Sequence, residues 1–185
     1  MRIIAGSAKG RRIECLKGLE TRPTRDRVRE AVFSSLGGQT EGVRGLDLFA
    51  GAGAMGIEAL SRGAAEVVFV ERNPEAAALI RSNLRHCRLE KMGQVRAADV
   101  FRYLEGFRQS GQKGFDLIFC DPPYGREDYG TLMALAGRGN LLNPGGIFVL
   151  EGLKSLEPDG YGEGLTLFKT RSYGKTGIFY FKKGP

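Results

Sequence analysis

The stretch from Leu46 to Gly56 constrains the fold of this chain more than any other. Leu46, Leu48 and Phe49 read as a short buried strand. Gly51-x-Gly53-x-x-Gly56 reads as a tight turn, and Ala54 to Arg62 as the helix that leaves it. A strand, a glycine turn and a helix gather backbone N–H groups and the positive end of a helix at one point, where missing side chains let a ligand approach the backbone. The glycine spacing alone fits a dinucleotide fingerprint as well as an S-adenosylmethionine site.

The segments that follow alternate. Glu66–Glu71, Gln94–Ala98, Phe115–Cys120 and Ile147–Leu150 read as strands, the last entered through Asn143-Pro144-Gly145-Gly146. Pro74–Arg85, Val100–Phe107 and Tyr129–Ala136 read as helices. This alternation predicts an α/β fold with a mostly parallel sheet covered on both faces. Leu165–Ser172 and Gly177–Lys182, around Tyr173-Gly174-Lys175-Thr176, read instead as an antiparallel hairpin.

In an open parallel sheet, ligands sit beyond the carboxyl ends of the strands, so strand-end residues are the candidates. Glu71, twenty residues after Gly51, is placed to accept hydrogen bonds from ribose hydroxyls of NAD or of S-adenosylmethionine. Asp99 is placed to take an adenine amino group, with Val100 or Phe101 against the ring, or to cap the helix that follows it. Asp47 lies inside an apolar run and needs a partner; it either approaches the amino-acid part of the cofactor or holds the glycine turn through backbone N–H groups. Asp121-Pro122-Pro123-Tyr124 follows the fourth strand. An exocyclic amine on a base is a poor nucleophile because its lone pair is delocalised. A carboxylate and a backbone carbonyl that accept its two N–H bonds localise that pair. Two prolines stiffen the loop, and Tyr124 can stack on a flipped-out base.

Charge leaves two readings open, a polyanionic partner or a solvated basic surface with none. The 185 residues carry a formal net charge of +7, and it is gathered at the ends: residues 1–30 and 164–185 each carry a net +5, and the stretch between them −3. Arg2–Ala5 and Arg11–Cys15 read as a hairpin, and Thr24 as the cap of a helix running to Leu36. Lys9, Arg11, Arg12, Arg22 and Arg27, with Arg25 and Arg29, make this end a basic ribbon suited to phosphates. The odd set Cys15, Cys87 and Cys120 fits a reducing compartment, each as a small buried apolar residue. No run approaches the roughly 20 apolar residues that cross a bilayer. A cytoplasmic enzyme is expected, with no metal and a monomeric state.

The Asp121-to-Tyr124 tetrad together with the Asp47-to-Gly56 stretch resembles the S-adenosylmethionine-dependent amino-methyltransferases of nucleic-acid bases. More narrowly, the chain resembles the RsmD family of bacterial 16S rRNA guanine-N2 methyltransferases. That similarity rests on Arg2-Ile3-Ile4-Ala5-Gly6 with Gly10-Arg11-Arg12, on Thr21-Arg22-Pro23-Thr24 with Asp26-Arg27-Val28-Arg29-Glu30-Ala31, on Glu58-Ala59-Leu60-Ser61-Arg62-Gly63-Ala64, and on Tyr173-Gly174. Ala52 and Met55 depart from the serine and leucine of the pattern. The resemblance implies a seven-stranded Rossmann-like methyltransferase sheet with its last strand antiparallel. It implies a basic N-terminal hairpin and helix over 1–38 packed on a methyltransferase domain over 39–185. It also implies methyl transfer to a guanine N2 amine of 16S rRNA in a small-subunit particle, with catalytic Asp121, Pro122 and Tyr124. Asp47, Gly51, Gly53, Glu71, Asp99 and Val100 would hold S-adenosylmethionine, and Pro123 with the basic ribbon would hold the substrate. The rival readings are an adenine-N6 methyltransferase, a NAD-dependent oxidoreductase and a non-catalytic RNA-binding assembly factor.

Overall fold

The computed structural model describes residues 1–16, 23–123, 129–137, 139–157 and 164–185, with residues 23–25 described by their backbone alone. Seven strands form one sheet in the order β3-β2-β1-β4-β5-β7-β6. The chain divides into two compact units, 1–100 and 101–185.

In the first unit, helix α1 (Pro23–Leu36) precedes β1 (Arg44–Leu48), α2 (Ala54–Ser61), β2 (Glu66–Glu71), α3 (Pro74–Cys87) and β3 (Gly93–Ala97). These strands pair in parallel, with Leu48 opposite Val70 and Glu71 opposite Ala97, so β1, β2 and β3 end along a common edge. The strands are apolar on both faces, as buried parallel strands are. Val67, Val68, Phe69 and Val70 are all buried, and Leu46, Leu48, Ile57 and Ile80 join them. Gly56 sets the approach of α2: a Cβ there would lie 2.3 Å from the Phe69 ring. Pro74 starts α3 where its missing N–H costs nothing, and Asn73 Oδ1 caps the helix by accepting from the N–H groups of Glu75 and Ala76 at 2.8 and 3.3 Å.

The second unit holds most of α4 (Val100–Gln109), then β4 (Phe115–Cys120), α5 (Tyr129–Gly137), β5 (Leu142–Leu153), β6 (Leu165–Tyr173) and β7 (Thr176–Lys183). β4 and β5 run parallel; β7 runs antiparallel to both β5 and β6, as expected of the last strand. The Phe107 and Phe115 rings meet at 5.3 Å and the Phe148 and Phe181 rings at 6.2 Å, and these four with Tyr180 are buried.

Four local expectations need correction. β1 ends at Leu48, and Phe49 leaves the strand with φ +58°, a left-handed conformation rare for a bulky side chain. Asn143 to Gly146 are not a connecting loop but lie within β5. The ladder with β4 shifts there, passing from Phe115↔Leu142 to Leu117↔Ile147, so the extra residues bulge out. Helix α1 begins at Pro23, so Thr24 sits in its first turn rather than capping it. The N-terminal hairpin is reduced to one bridge, Arg2↔Arg12, flanked by Ile3 N–H to the Arg11 carbonyl and Gly10 N–H to the Ile3 carbonyl. The reason is competition: the N–H groups of Ile4 and Ala5 donate to the Glu58 carboxylate at 2.8 and 3.0 Å instead of extending a ladder.

Candidate active site

The glycine turn is built by two carboxylates, each on a backbone donor. Asp47, buried in β1, accepts the Gly56 N–H through Oδ2 at 2.9 Å and so fixes the first turn of α2. Of the two roles open to Asp47 from sequence, holding the turn is the one with a bond. Glu71 closes β2, and its Oε2 accepts the Gly51 N–H at 2.9 Å while Oε1 accepts the Asn73 N–H at 2.8 Å. Each carboxylate oxygen keeps a further lone pair for a hydroxyl donor. Gly51 has φ +55°, and a Cβ there would meet nothing within 4 Å, so the space beside its backbone is open. Gly53, at φ +79°, is the N-cap of α2 and supplies no side-chain cap. An open backbone at Gly51, a helix start whose N-cap carries no side chain and a half-buried carboxylate are the donor and acceptor set that a nucleoside with an amino-acid tail requires, so these residues fit S-adenosylmethionine. Asp99 is half-buried immediately before α4, and Val100, its first residue, is buried.

In the second unit, β4 delivers Cys120 buried, Asp121 exposed, Pro122 buried and Pro123 exposed. The carboxylate is thus presented to solvent by a chain anchored on both sides. Tyr124 lies outside the described residues, as does Arg22. A residue the sequence reading passed over stands beside this loop. Tyr129 opens α5, and its hydroxyl is buried with no hydrogen-bond partner among the described residues. Burial pushes its pKa up, and the charges of Asp121, Cys120 and Glu151 push the same way.

The basic ribbon is fastened by buried polar groups that the sequence reading had placed on solvent faces or not used. Glu58, fully buried, accepts from Ile4 and Ala5 and pairs with Arg62 at 2.7 Å and Arg29 at 3.6 Å. Arg29 is 2% exposed and donates to the Arg2 carbonyl, so it is not a free phosphate contact. Ser61 takes the Ala8 N–H and donates to the Ala5 carbonyl, and its own carbonyl takes the Ser7 N–H. A Cβ on Gly6 would lie 1.7 Å from that carbonyl oxygen. Asn83 exchanges two bonds with the Glu14 backbone and donates a third to the Ala52 carbonyl in the glycine turn. Arg11 donates to the His86 carbonyl at 2.7 Å. Its charge lowers the Cys87 thiol pKa, although burial is the larger effect and raises it. Lys9, Arg12 and Arg27 are exposed. A polar residue inside an apolar helix face, Glu58 between Ile57 and Ala59 or Asn83 beside Leu84, was the available signal for this network.

A seven-stranded sheet in this order, with β7 reversed between β5 and β6 and a glycine turn after β1, is the architecture of Rossmann-like methyltransferases, and the protein is an enzyme of that class. The model of the family described as "Conserved hypothetical protein 95" matches residues 1–182. The chain is 40% identical to YlbH of Bacillus subtilis over 99% of both proteins. It is 33% identical to the Haemophilus influenzae protein named ribosomal RNA small subunit methyltransferase D, over 94% of this chain and 89% of that one. Among solved structures, YhhF of Escherichia coli superposes with a TM-score of 0.84 at 26% identity, covering 100% of this chain and 98% of that one. The chain belongs to this family, the one that contains the small-subunit methyltransferases D.

Proposed function

We propose that this enzyme transfers the methyl group of S-adenosylmethionine to the exocyclic N2 amine of a guanine in 16S rRNA, within a small-subunit particle, as a cytoplasmic monomer. The observation that carries the reading is Asp121, exposed at the end of β4 and followed by the buried Pro122. A carboxylate held out on a stiffened chain is what an amide-like amine needs to become a nucleophile. The name of the Haemophilus relative supports the rRNA substrate. The net +5 on each chain end supports a polyanion. Among the described residues no helix is long and apolar enough to cross a membrane.

In this reading the backbone at Gly51 and Gly53 would lie against the cofactor, Glu71 would accept from its ribose hydroxyls, Asp99 would take the adenine amino group and Val100 would pack on the ring. Asp47 holds the turn rigid beside the amino-acid tail. Bound S-adenosylmethionine supplies an electrophilic methyl sulfonium. Asp121 and the Pro122 carbonyl accept the two N–H bonds of the amine and aim its lone pair, with Pro123 and Tyr124 against the base. The N–C bond would form as the C–S bond breaks, and Asp121 or water would take the surplus proton of the acidic aminium, so no covalent enzyme intermediate is needed. Lys9, Arg11, Arg12, Arg22 and Arg27 contact phosphates, with Arg11 sharing its guanidinium with the His86 carbonyl.

The test uses labelled S-adenosylmethionine and small subunits from cells lacking the protein, followed by nucleoside analysis. Label in N2-methylguanosine is the expected result. Label in N6-methyladenosine instead would keep the chemistry and replace the target base. An Asp121→Ala variant is expected to lose turnover while binding the cofactor within a few-fold of wild type; loss of cofactor binding would refute the role given to Asp121.

A further inference from the structure

The C-terminal turn of α3 carries Arg85 and Arg88, both exposed. Arg85 lies in the last turn of α3 and Arg88 is the C-cap that follows it, so both cations stand at the C-terminal end of this helix. Arg11 is bonded to the carbonyl of His86, which lies between them, so the N-terminal ribbon meets α3 at this turn. Arg85 and Arg88, like Lys9 and Arg12 of the ribbon, form no ion pair among the described residues; Glu14 and Glu90 are the exposed acids of the same stretches. Arg88 is also backbone-strained. It is the C-cap of α3 at φ +57°, ψ +40°, a position that helices ordinarily give to glycine or asparagine. An arginine there costs stability that glycine would not, which favours a use for the side chain outside the chain itself.

We propose that Arg85 and Arg88 extend the ribbon into one phosphate-binding face for the RNA substrate, on an element that no sequence motif marked. This rests on the proposed rRNA reading. A helix end offers a second account, since cations there complement the negative end of the helix dipole. The two accounts predict different things for Arg88→Gly. If the arginine serves the helix, its loss lowers the melting temperature and leaves RNA binding alone. If it serves RNA, glycine relieves the strained backbone, and stability holds or rises while binding weakens.

The experiment measures binding of wild type, R88G, R85Q/R88G and, as a charge control on α4, R108Q to naked 16S rRNA between 50 and 200 mM salt, with melting curves of each. Wild-type methyl transfer to small subunits is assayed alongside. The expected result is a log–log salt slope shallower by about 1 for R88G and about 2 for the double variant. The double variant then loses about 16-fold less affinity than wild type across that salt range. R108Q keeps the wild-type slope, and R88G melts no lower than wild type. Wild-type slopes in R88G and R85Q/R88G, a lower melting temperature for R88G, or an equal change in R108Q would each overturn the proposal. If methyl transfer by wild type persists in those cases, the functional reading stands without this face. Wild-type protein that neither binds nor methylates rRNA overturns both.

Discussion

The two ends of the chain carry the same net charge of +5 but use it differently. At the N-terminus the loop of residues 4–8 is held by Glu58 and Ser61 through backbone N–H groups, which leaves Lys9 and Arg12 unspent on the surface. At the C-terminus β6 and β7 are held by an antiparallel ladder with one register shift between Leu167 and Lys169, and part of the charge is turned inward. Lys183 Nζ donates to the Gly139 and Leu142 carbonyls at 2.6 and 2.8 Å, and burial lowers its pKa. Lys169 lies 5.7 Å from the centre of the Tyr180 ring. Equal charge in a sequence is therefore not equal availability. What matters is whether the backbone is fastened by other groups or by the cations themselves.

Breaking the N-terminal fastening should have the largest effect. Glu58→Ala leaves buried Arg29 with Asp26 as its one remaining carboxylate among the described residues and strands two N–H groups, and a loss of about 3–5 kcal/mol is expected in urea unfolding. Gly6→Ala forces a left-handed alanine into the Ser61 carbonyl. About 3 kcal/mol is expected, or release of the ribbon, visible as faster amide exchange at Ile4 and Ala5 with the sheet intact. The C-terminal counterpart is milder. Lys183→Met removes two bonds from the end of β7 and should cost about 1–2 kcal/mol; a loss as large as that of Glu58→Ala would erase the contrast between the ends. The smallest effect is in pH. Cys87 and Tyr129 have folded pKa values raised above 9.0 and 10.0 by burial. The stability this carries is complete below pH 9 and drains away as pH rises past 9 for the thiol and past 10 for the phenol, because the unfolded chain releases protons that the folded chain keeps. Thermal melts of C87A and Y129F between pH 8 and 11 should show flatter alkaline limbs than wild type, and Y129F should match or exceed wild-type stability at pH 7, since it removes a buried hydroxyl without a partner among the described residues.

Periodicity and glycine chemistry made most of the sheet legible. The apolar runs Val67–Val70 and Leu117–Cys120 admit one placement, and Gly51, Glu71 and Asp99 fall at strand ends because the alternation leaves them nowhere else. Three things were hidden, each for a local reason. Phe49 looks like a strand residue because hydrophobicity does not report a positive φ. The stretch Asn143–Gly146 looks like a loop because proline and glycines are its content, and only the shifted partner strand keeps it inside β5. Arg29 and Asp26 look like solvent-facing charges on α1. The burial of Arg29 depends on Glu58, which belongs to another helix, and one-dimensional patterns carry no record of which charge meets which. The ribbon itself was readable as basic, while its anchorage was not.

That anchorage has a consequence for the order in which the protein takes shape. The bonds that hold residues 4–14 reach across 53 to 75 positions of chain, to Glu58, Ser61, Asn83 and His86. Contacts of such span form only after the intervening helices exist, because closing long loops before there is a surface to close onto gains nothing. During synthesis this basic stretch has no docking place until α2 and α3 have been made and have folded behind it. The segment translated ahead of both helices is thus one of the last in this half to settle, and refolding followed by pulsed hydrogen exchange should find Ile4 and Ala5 protected after the strands of β1 and β2.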